Sequence, residues 1–212
     1  MNRVVITGMG VYSCIGLNKE AVLDSLMNGR SGIVFDQERK DFGYRSGLVG
    51  LVPRPDLKTQ LDRRARIMLP EEGEFAYVAA KEAFAQAQVT PQQIKELQCG
   101  IIFGNDSTVK PVYESIELVK QKKDTTLLGS GAIFQSMNST VNMNLSTIFA
   151  LTGVNFTISA ACASGSHSIG MAYLLLKQGL QKMILVGGAQ EVNIYAFASF
   201  DGLGTFSINE ED

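Results

Sequence analysis

Hydrophobic positions along the chain follow two patterns. Residues 3–7, 100–103, 154–159 and 182–186 are short apolar runs without alternation, and helical stretches separate the last three. Such runs read as strands of a parallel sheet covered on both faces. Elsewhere the period is helical. Ala76, Ala79, Ala80, Ala83, Phe84 and Ala87 recur at i, i+3, i+4, i+7, i+8 and i+11, with Lys81, Glu82 and Gln86 outside the stripe. Asn18 is placed to cap a helix running to about Met27, and Gly29 suits its end. Thr90-Pro91-Gln92-Gln93 reads as a capping box with proline at the first helical position. Further helices are expected over 109–122, 139–151 and 163–178. Residues 31–61, with Pro53 and Pro55, read as an irregular polar excursion from the core, and residues 207–212 as an interrupted fold without a closing strand or helix.

Composition narrows the classes. The chain has 212 residues, 45% hydrophobic and 19% charged, with a formal net charge of −2. That is a globular composition of about one domain, without the basic excess that nucleic acid demands. The opening apolar run stops at Gly8, too soon for a secretory signal, and no run approaches the roughly 18 apolar residues of a membrane span. A cytoplasmic protein is expected. Cys14, Cys99 and Cys162 are too few and too scattered for a disulfide framework or a zinc site, and no histidine–carboxylate cluster suggests another metal.

The chemistry concentrates in residues 154–170. An apolar strand runs into Ser159, Ala160 and Ala161, then Cys162, then a helix. Unpaired backbone N–H groups and the helix dipole favour negative charge where the helix opens, and small neighbours leave room for a substrate. This is a nucleophile elbow with cysteine in place of serine. Competing motifs fail: Gly8-Met9-Gly10 follows a strand-like run, but Ser13 stands where a dinucleotide-binding turn needs its third glycine, and neither a P-loop nor a G-x-S-x-G elbow is present.

The run Ser159-Ala160-Ala161-Cys162-Ala163-Ser164-Gly165-Ser166-His167-Ser168-Ile169-Gly170 resembles the active-site signature of β-ketoacyl-acyl carrier protein synthases, in the thiolase superfamily. Arg3-Val4-Val5-Ile6-Thr7-Gly8-Met9-Gly10 and Lys182-Met183-Ile184-Leu185-Val186-Gly187-Gly188-Ala189-Gln190-Glu191 resemble the family's first strand and the strand after the active-site helix. The resemblance implies an α/β protein, the N-terminal half of the thiolase-like layered αβαβα architecture with a mostly parallel central sheet, and makes residues 1–212 one ketosynthase domain incomplete at its C-terminal end. It implies that Cys162 accepts an acyl group from a carrier-protein thioester, that its N–H serves an oxyanion hole, and that condensation with malonyl-carrier protein follows in fatty-acid or polyketide-like synthesis. It calls for no cofactor.

By the same resemblance Met137 lines the acyl pocket, Arg63, Arg64 and Arg66 dock the acidic acyl carrier protein, and a homodimer forms through the strand from Val154 to Ser159. The family's two catalytic histidines come from a later part of a chain roughly twice this length. The single histidine here, His167, follows Cys162 by five residues, about 140° around a helix, and reads as structural. Condensation by this chain alone is therefore not expected. Uncovered apolar surface is expected to make the isolated chain self-associate. A non-catalytic ketosynthase-like partner subunit is the alternative, disfavoured by the retained cysteine. An acyl-CoA enzyme on the same fold is the other.

Overall fold

The computed structural model describes residues 2–210. In chain order its elements are α1 (Lys19–Met27), β1 (Val34–Phe35), α2 (Gln37–Phe42), β2 (Leu48–Val49), α3 (Arg63–Met68), α4 (Glu71–Gln86), α5 (Pro91–Glu96), β3 (Gly100–Gly104), α6 (Lys110–Lys122), α7 (Ala132–Gln135), α8 (Thr140–Ile148), β4 (Asn155–Ile158), α9 (Ser164–Lys177), β5 (Ile184–Gly188) and α10 (Ile194–Leu203).

Three strands make the central sheet in the order β4–β3–β5, with both pairings parallel. The middle strand, β3, is buried along its length, which explains its run of apolar residues without alternation. Ile101 and Phe103 point into a core shared with Ala76, Tyr77 and Ala80 of α4 and Val141 and Leu145 of α8. Gly104, at the other parity, faces the first turn of α9. The sheet is thus sandwiched between α8, backed by α4, and α9. Asn142 of α8 ties two strands together, its amide donating to the carbonyls of Ile101 and Phe156.

The helix signals are realised locally. Asn18 Oδ1 accepts the Ala21 N–H at 2.8 Å, Gly29 takes a left-handed φ of 62°, and Thr90 and Gln93 form the capping box with Pro91 at the helix start.

Three expectations need correction. Residues 3–7 join no sheet, and Ile6 is 80% exposed. An apolar run specifies an extended chain but not a neighbour to pair with. Its continuation is held instead by side chains of α4: the Met9 and Val11 N–H groups donate to Gln86 and Glu82 at 2.7 and 2.9 Å. Gly8 and Gly10 permit that approach, since a Cβ would lie 2.1 Å from the Ala83 carbonyl oxygen and 1.8 Å from that of Ala79. Second, the run at 154–159 is not covered on both faces: Asn155 and Phe156, which the pleat directs to opposite faces of β4, are both exposed. Third, residues 31–61 are not irregular throughout. They contain the antiparallel pair β1–β2 and helix α2, and are sewn to the region around α10. The Arg45 and Ser46 N–H groups donate to the Asp201 carboxylate, and the Tyr44 hydroxyl donates to the Ile194 carbonyl. Arg39 and Ser46 are buried within this segment, while most of its other polar residues remain exposed. Of the interrupted end at 207–212, residues 211 and 212 lie outside the described residues.

Glu72, at the start of α4, is fully buried with neither carboxylate oxygen hydrogen-bonded. Burial first, then the neighbouring Glu191 and Glu71, push its pKa from the ordinary 4.5 up to about 8. Between those values the folded state holds a proton that the unfolded chain releases, so this group makes stability fall as pH rises from about 4.5 to about 8, and contributes no further slope above that. At about 1.4 kcal/mol per pH unit, the loss is roughly 3–5 kcal/mol. The neutral variant Glu72→Gln is expected to flatten this slope and to exceed the wild type in stability at pH 8.5. Urea unfolding at pH 5, 7 and 8.5 measures both, and parallel slopes for the two proteins refute the assignment.

Candidate active site

The site is built where β4 passes into α9. The chain leaves the strand at Ile158, and Ala161 takes a left-handed φ of 47°, a conformation that L residues seldom adopt. The bend is fastened by Ser164, whose hydroxyl donates to the Ala161 carbonyl at 2.6 Å and accepts the Ala160 N–H at 2.8 Å. The Ala163 and Ser164 N–H groups donate to the carbonyls of Ala160 and Ala161, closing the turn. Cys162 sits on the crest of this bend, two residues before the first residue of α9. Such a bend needs space below it. A Cβ on Gly104 would lie 2.3 Å from the Ser164 carbonyl carbon, and one on Gly188 would lie 3.1 Å from the Cα of Gly165. The glycines ending β3 and β5 let the helix start directly against the sheet.

The three thiols have different surroundings. Cys99 is wholly buried and its pKa is pushed up to about 11, the mark of an inert core thiol. Cys14 is half-buried, and Cys162 is exposed. Cys162 borders a cavity of about 490 Å³. Gly104, Asn105 and Asp106 form one wall at the end of β3, and Gly188, Ala189 and Gln190 another after β5. Phe197 and Phe200 of α10, with Phe206, supply an apolar wall.

The structure does not gather every expected site residue around this cavity. Met137, between α7 and α8, is partly exposed and does not line it. Its neighbour Asn138 is fixed to the rim, accepting from the Asn105 amide and donating to the Asp106 carbonyl, each at 3.1 Å. Arg63 and Arg64 of α3 are exposed, whereas Arg66 is half-buried and donates to the Leu61 carbonyl. None of the three borders the cavity. His167 is also outside it, exposed on α9.

Sequence reasoning missed the opposite wall. Helix α10 carries Phe197 and Phe200, and its signals were present: Asn193 Oδ1 accepts the Tyr195 and Ala196 N–H groups, and Gly204 ends the helix at a φ of 79°. Glu191 was also missed. Its carboxylate is fully buried and accepts the Val109 and Lys110 N–H groups at the head of α6, as well as the Asn193 amide. Glu71 accepts the Val192 N–H at 2.8 Å, so two carboxylates hold the 189–193 loop beside the cavity.

Comparison with known proteins agrees with this geometry. A family profile described as Beta-ketoacyl synthase, N-terminal domain, matches residues 1–211. The 3-oxoacyl-[acyl-carrier-protein] synthase 1 of Buchnera aphidicola subsp. Schizaphis graminum is 35% identical over 211 residues, covering 99% of this chain and 52% of that protein. The enzyme of the same name from Escherichia coli (strain K12) is 33% identical, covering 100% of this chain and 52% of its own length. Among solved structures, a beta-ketoacyl synthase from Burkholderia phymatum STM815 matches with a TM-score of 0.89 and 28% identity, covering 100% of this chain and 52% of that one. A type II polyketide ketosynthase in complex with its acyl-carrier protein, at 23% identity and a TM-score of 0.81, shares the fold. The chain spans about half the length of the curated relatives it matches. The thiolase-like α/β fold expected from the sequence is therefore the observed one, and the chain belongs to the beta-ketoacyl synthase family, over that family's N-terminal domain.

Proposed function

We propose that residues 1–212 are the acyl-accepting domain of a 3-oxoacyl-[acyl-carrier-protein] synthase acting in fatty-acid or polyketide-like synthesis in the cytoplasm. The observation that carries this reading is the exposed Cys162 sulfur on a left-handed bend, at the mouth of an apolar cavity and the head of a helix. In the proposed step Cys162 Sγ attacks the carbonyl carbon of an acyl thioester. A new carbon–sulfur bond forms, the bond to the carrier's thiol breaks, and the cysteine proton ends on the departing thiol. The Cys162 N–H is the proposed donor to the oxyanion that develops on the carbonyl oxygen. The acyl chain then occupies the cavity walled by the phenylalanines. Met137 is proposed to contribute to the acyl pocket through its link to the rim at Asn138. Decarboxylative condensation with malonyl-carrier protein draws on histidines that this chain does not supply. His167, outside the cavity, is not assigned that role. A non-catalytic partner has no need of a sulfur so presented.

Incubation with a hexanoyl thioester or a cysteine-directed ketosynthase inhibitor, followed by peptide mapping, is expected to place the adduct on Cys162. Cys99 should react only after unfolding, and Cys162→Ala should abolish acylation. Modification of Cys14 with Cys162 untouched would overturn the reading.

Arg63, Arg64 and Arg66 are proposed to steer the acidic carrier protein. Charge complementarity of this kind acts on the encounter rate and is screened by salt. The double variant Arg63→Glu/Arg64→Glu is expected to slow carrier-protein association by about tenfold at low salt and much less at 0.5 M salt, as stopped-flow binding would show. A salt-independent loss points to a different contact.

The open edge of β4 is the proposed dimer seam, pairing with the same strand of a second copy. Apolar surface is also exposed on α9 at Ile169, Met171, Tyr173 and Leu174. Light scattering on the purified chain should find self-association that Phe156→Lys reduces, and a monodisperse wild-type monomer contradicts it.

A further inference from the structure

Arg39, on α2, is only 2% exposed. Its Nε and Nη2 find no hydrogen-bond partner, and among the described residues it joins no ion pair. What surrounds the guanidinium is aromatic. Its central carbon lies 4.4 Å from the ring centre of Tyr44, 4.9 Å from that of Phe206 and 5.7 Å from that of Phe197. A desolvated guanidinium is attracted by ring faces, and its burial is tolerated only where the surroundings hold it there. They do so here. Tyr44 is tied to the head of α10 through Ile194, and the adjoining Arg45 and Ser46 are tied to Asp201.

Two of the three rings, Phe197 and Phe206, also line the Cys162 cavity. Phe197 in addition lines a second cavity of about 300 Å³, bordered by Arg39 itself, Glu71 and Lys110. Phe197 is therefore shared between the apolar chamber that holds the reactive sulfur and a charged chamber behind it, and Arg39 backs the shared wall. We propose that Arg39, acting through Phe197 and Phe206, closes the inner end of the Cys162 cavity and thereby limits the length of acyl chain the cysteine accepts. This rests on the reading of Cys162 as the acyl acceptor. A short acyl chain fits within the apolar chamber. A longer one must push the rings off the guanidinium and then bring hydrocarbon against Arg39, Glu71 and Lys110, so the penalty grows with length. Arg39 touches no reacting atom in this scheme and is a positioning residue for specificity.

The test compares acylation of Cys162 by the N-acetylcysteamine thioesters of hexanoic and dodecanoic acid. The wild type should favour hexanoyl. Arg39→Leu, which removes the charge and keeps apolar bulk, should narrow that preference about tenfold, the scale of a buried cation–aromatic contact. Arg39→Lys, which keeps a cation near the rings, should restore part of the preference, and alkylation of Cys162 by iodoacetamide should be unchanged in both Arg39 variants. A role confined to stability would affect both thioesters alike and leave the ratio as it was. Should Arg39→Leu fail to fold, Arg39→Met takes its place, and Phe197→Ala, which removes the shared wall, should also admit dodecanoyl. An unaltered hexanoyl-to-dodecanoyl ratio in a variant that still acylates on Cys162 overturns the inference. A wild type that iodoacetamide labels on Cys162 but neither thioester acylates overturns the underlying functional reading, and this inference with it.

Discussion

The close approach of α9 to the ends of β3 and β5 is the constraint on which the site depends. With any side chain at Gly104, the first turn of α9 would have to lift away from the sheet, since a Cβ there would sit 2.3 Å from the Ser164 carbonyl carbon. Contact at that range turns the chain back within a few residues of β4, which is why Ala161 takes the left-handed conformation and why the Ser164 hydroxyl must bind both flanks of the bend. The same contact sets the sulfur at the rim rather than inside the core. Cys99, only one residue before a strand of the same sheet, shows what a thiol becomes without it: buried and held protonated.

The parts legible in the sequence are those whose signals are local. Asn18, Thr90, Pro91 and Gly29 each act on backbone groups within a turn of themselves, so their roles hold whatever the rest of the chain does. The Cys162 elbow was legible for the same reason, as strand, small residues, nucleophile and helix follow one another directly. The apolar run at 3–7 looks equally clear, yet its pairing depends on a partner strand, and periodicity says nothing of partners. Gly8 and Gly10 carried the better clue, because they serve a backbone pressed onto the Ala79 and Ala83 turns of α4.

What stayed hidden is mostly a polar interior. No apolar pattern in the sequence marks Glu72, Glu191, Asp201 or Arg39 as interior, and all four are buried. Charged residues are rarely buried without partners, so a reader of sequence places them outside by default. Here each case has its own physical answer. Glu191 and Asp201 accept backbone N–H groups, Arg39 is received by rings, and Glu72 is held in its neutral form. Helix α10 was overlooked for a related reason: a stretch that is apolar nearly all round shows little contrast between faces, although Asn193 and Gly204 marked both ends.

These buried polar groups are not scattered. Asn138 holds the end of β3 at Asn105 and Asp106, Glu71 and Glu191 hold the loop after β5, and Asp201 holds the segment that carries Arg39 behind α10. The stability core, in contrast, is apolar packing of α4 and α8 on β3. An apolar pocket lined by glycines and phenylalanines has little of its own to keep it open or to fix its outline, and collapse would bury more hydrocarbon. Hydrogen bonds from outside the lining supply what apolar contact cannot, namely direction, and a network of satisfied bonds resists small displacements that a greasy contact would tolerate. The division of labour follows: dispersion and burial hold the domain together around β3, and directional polar contacts hold the empty space at the ends of β3 and β5. The unpaired groups at Glu72 and Arg39 stand at the border of that frame, one held neutral beside the carboxylates that fasten the loop, the other received by the rings that wall the cavity.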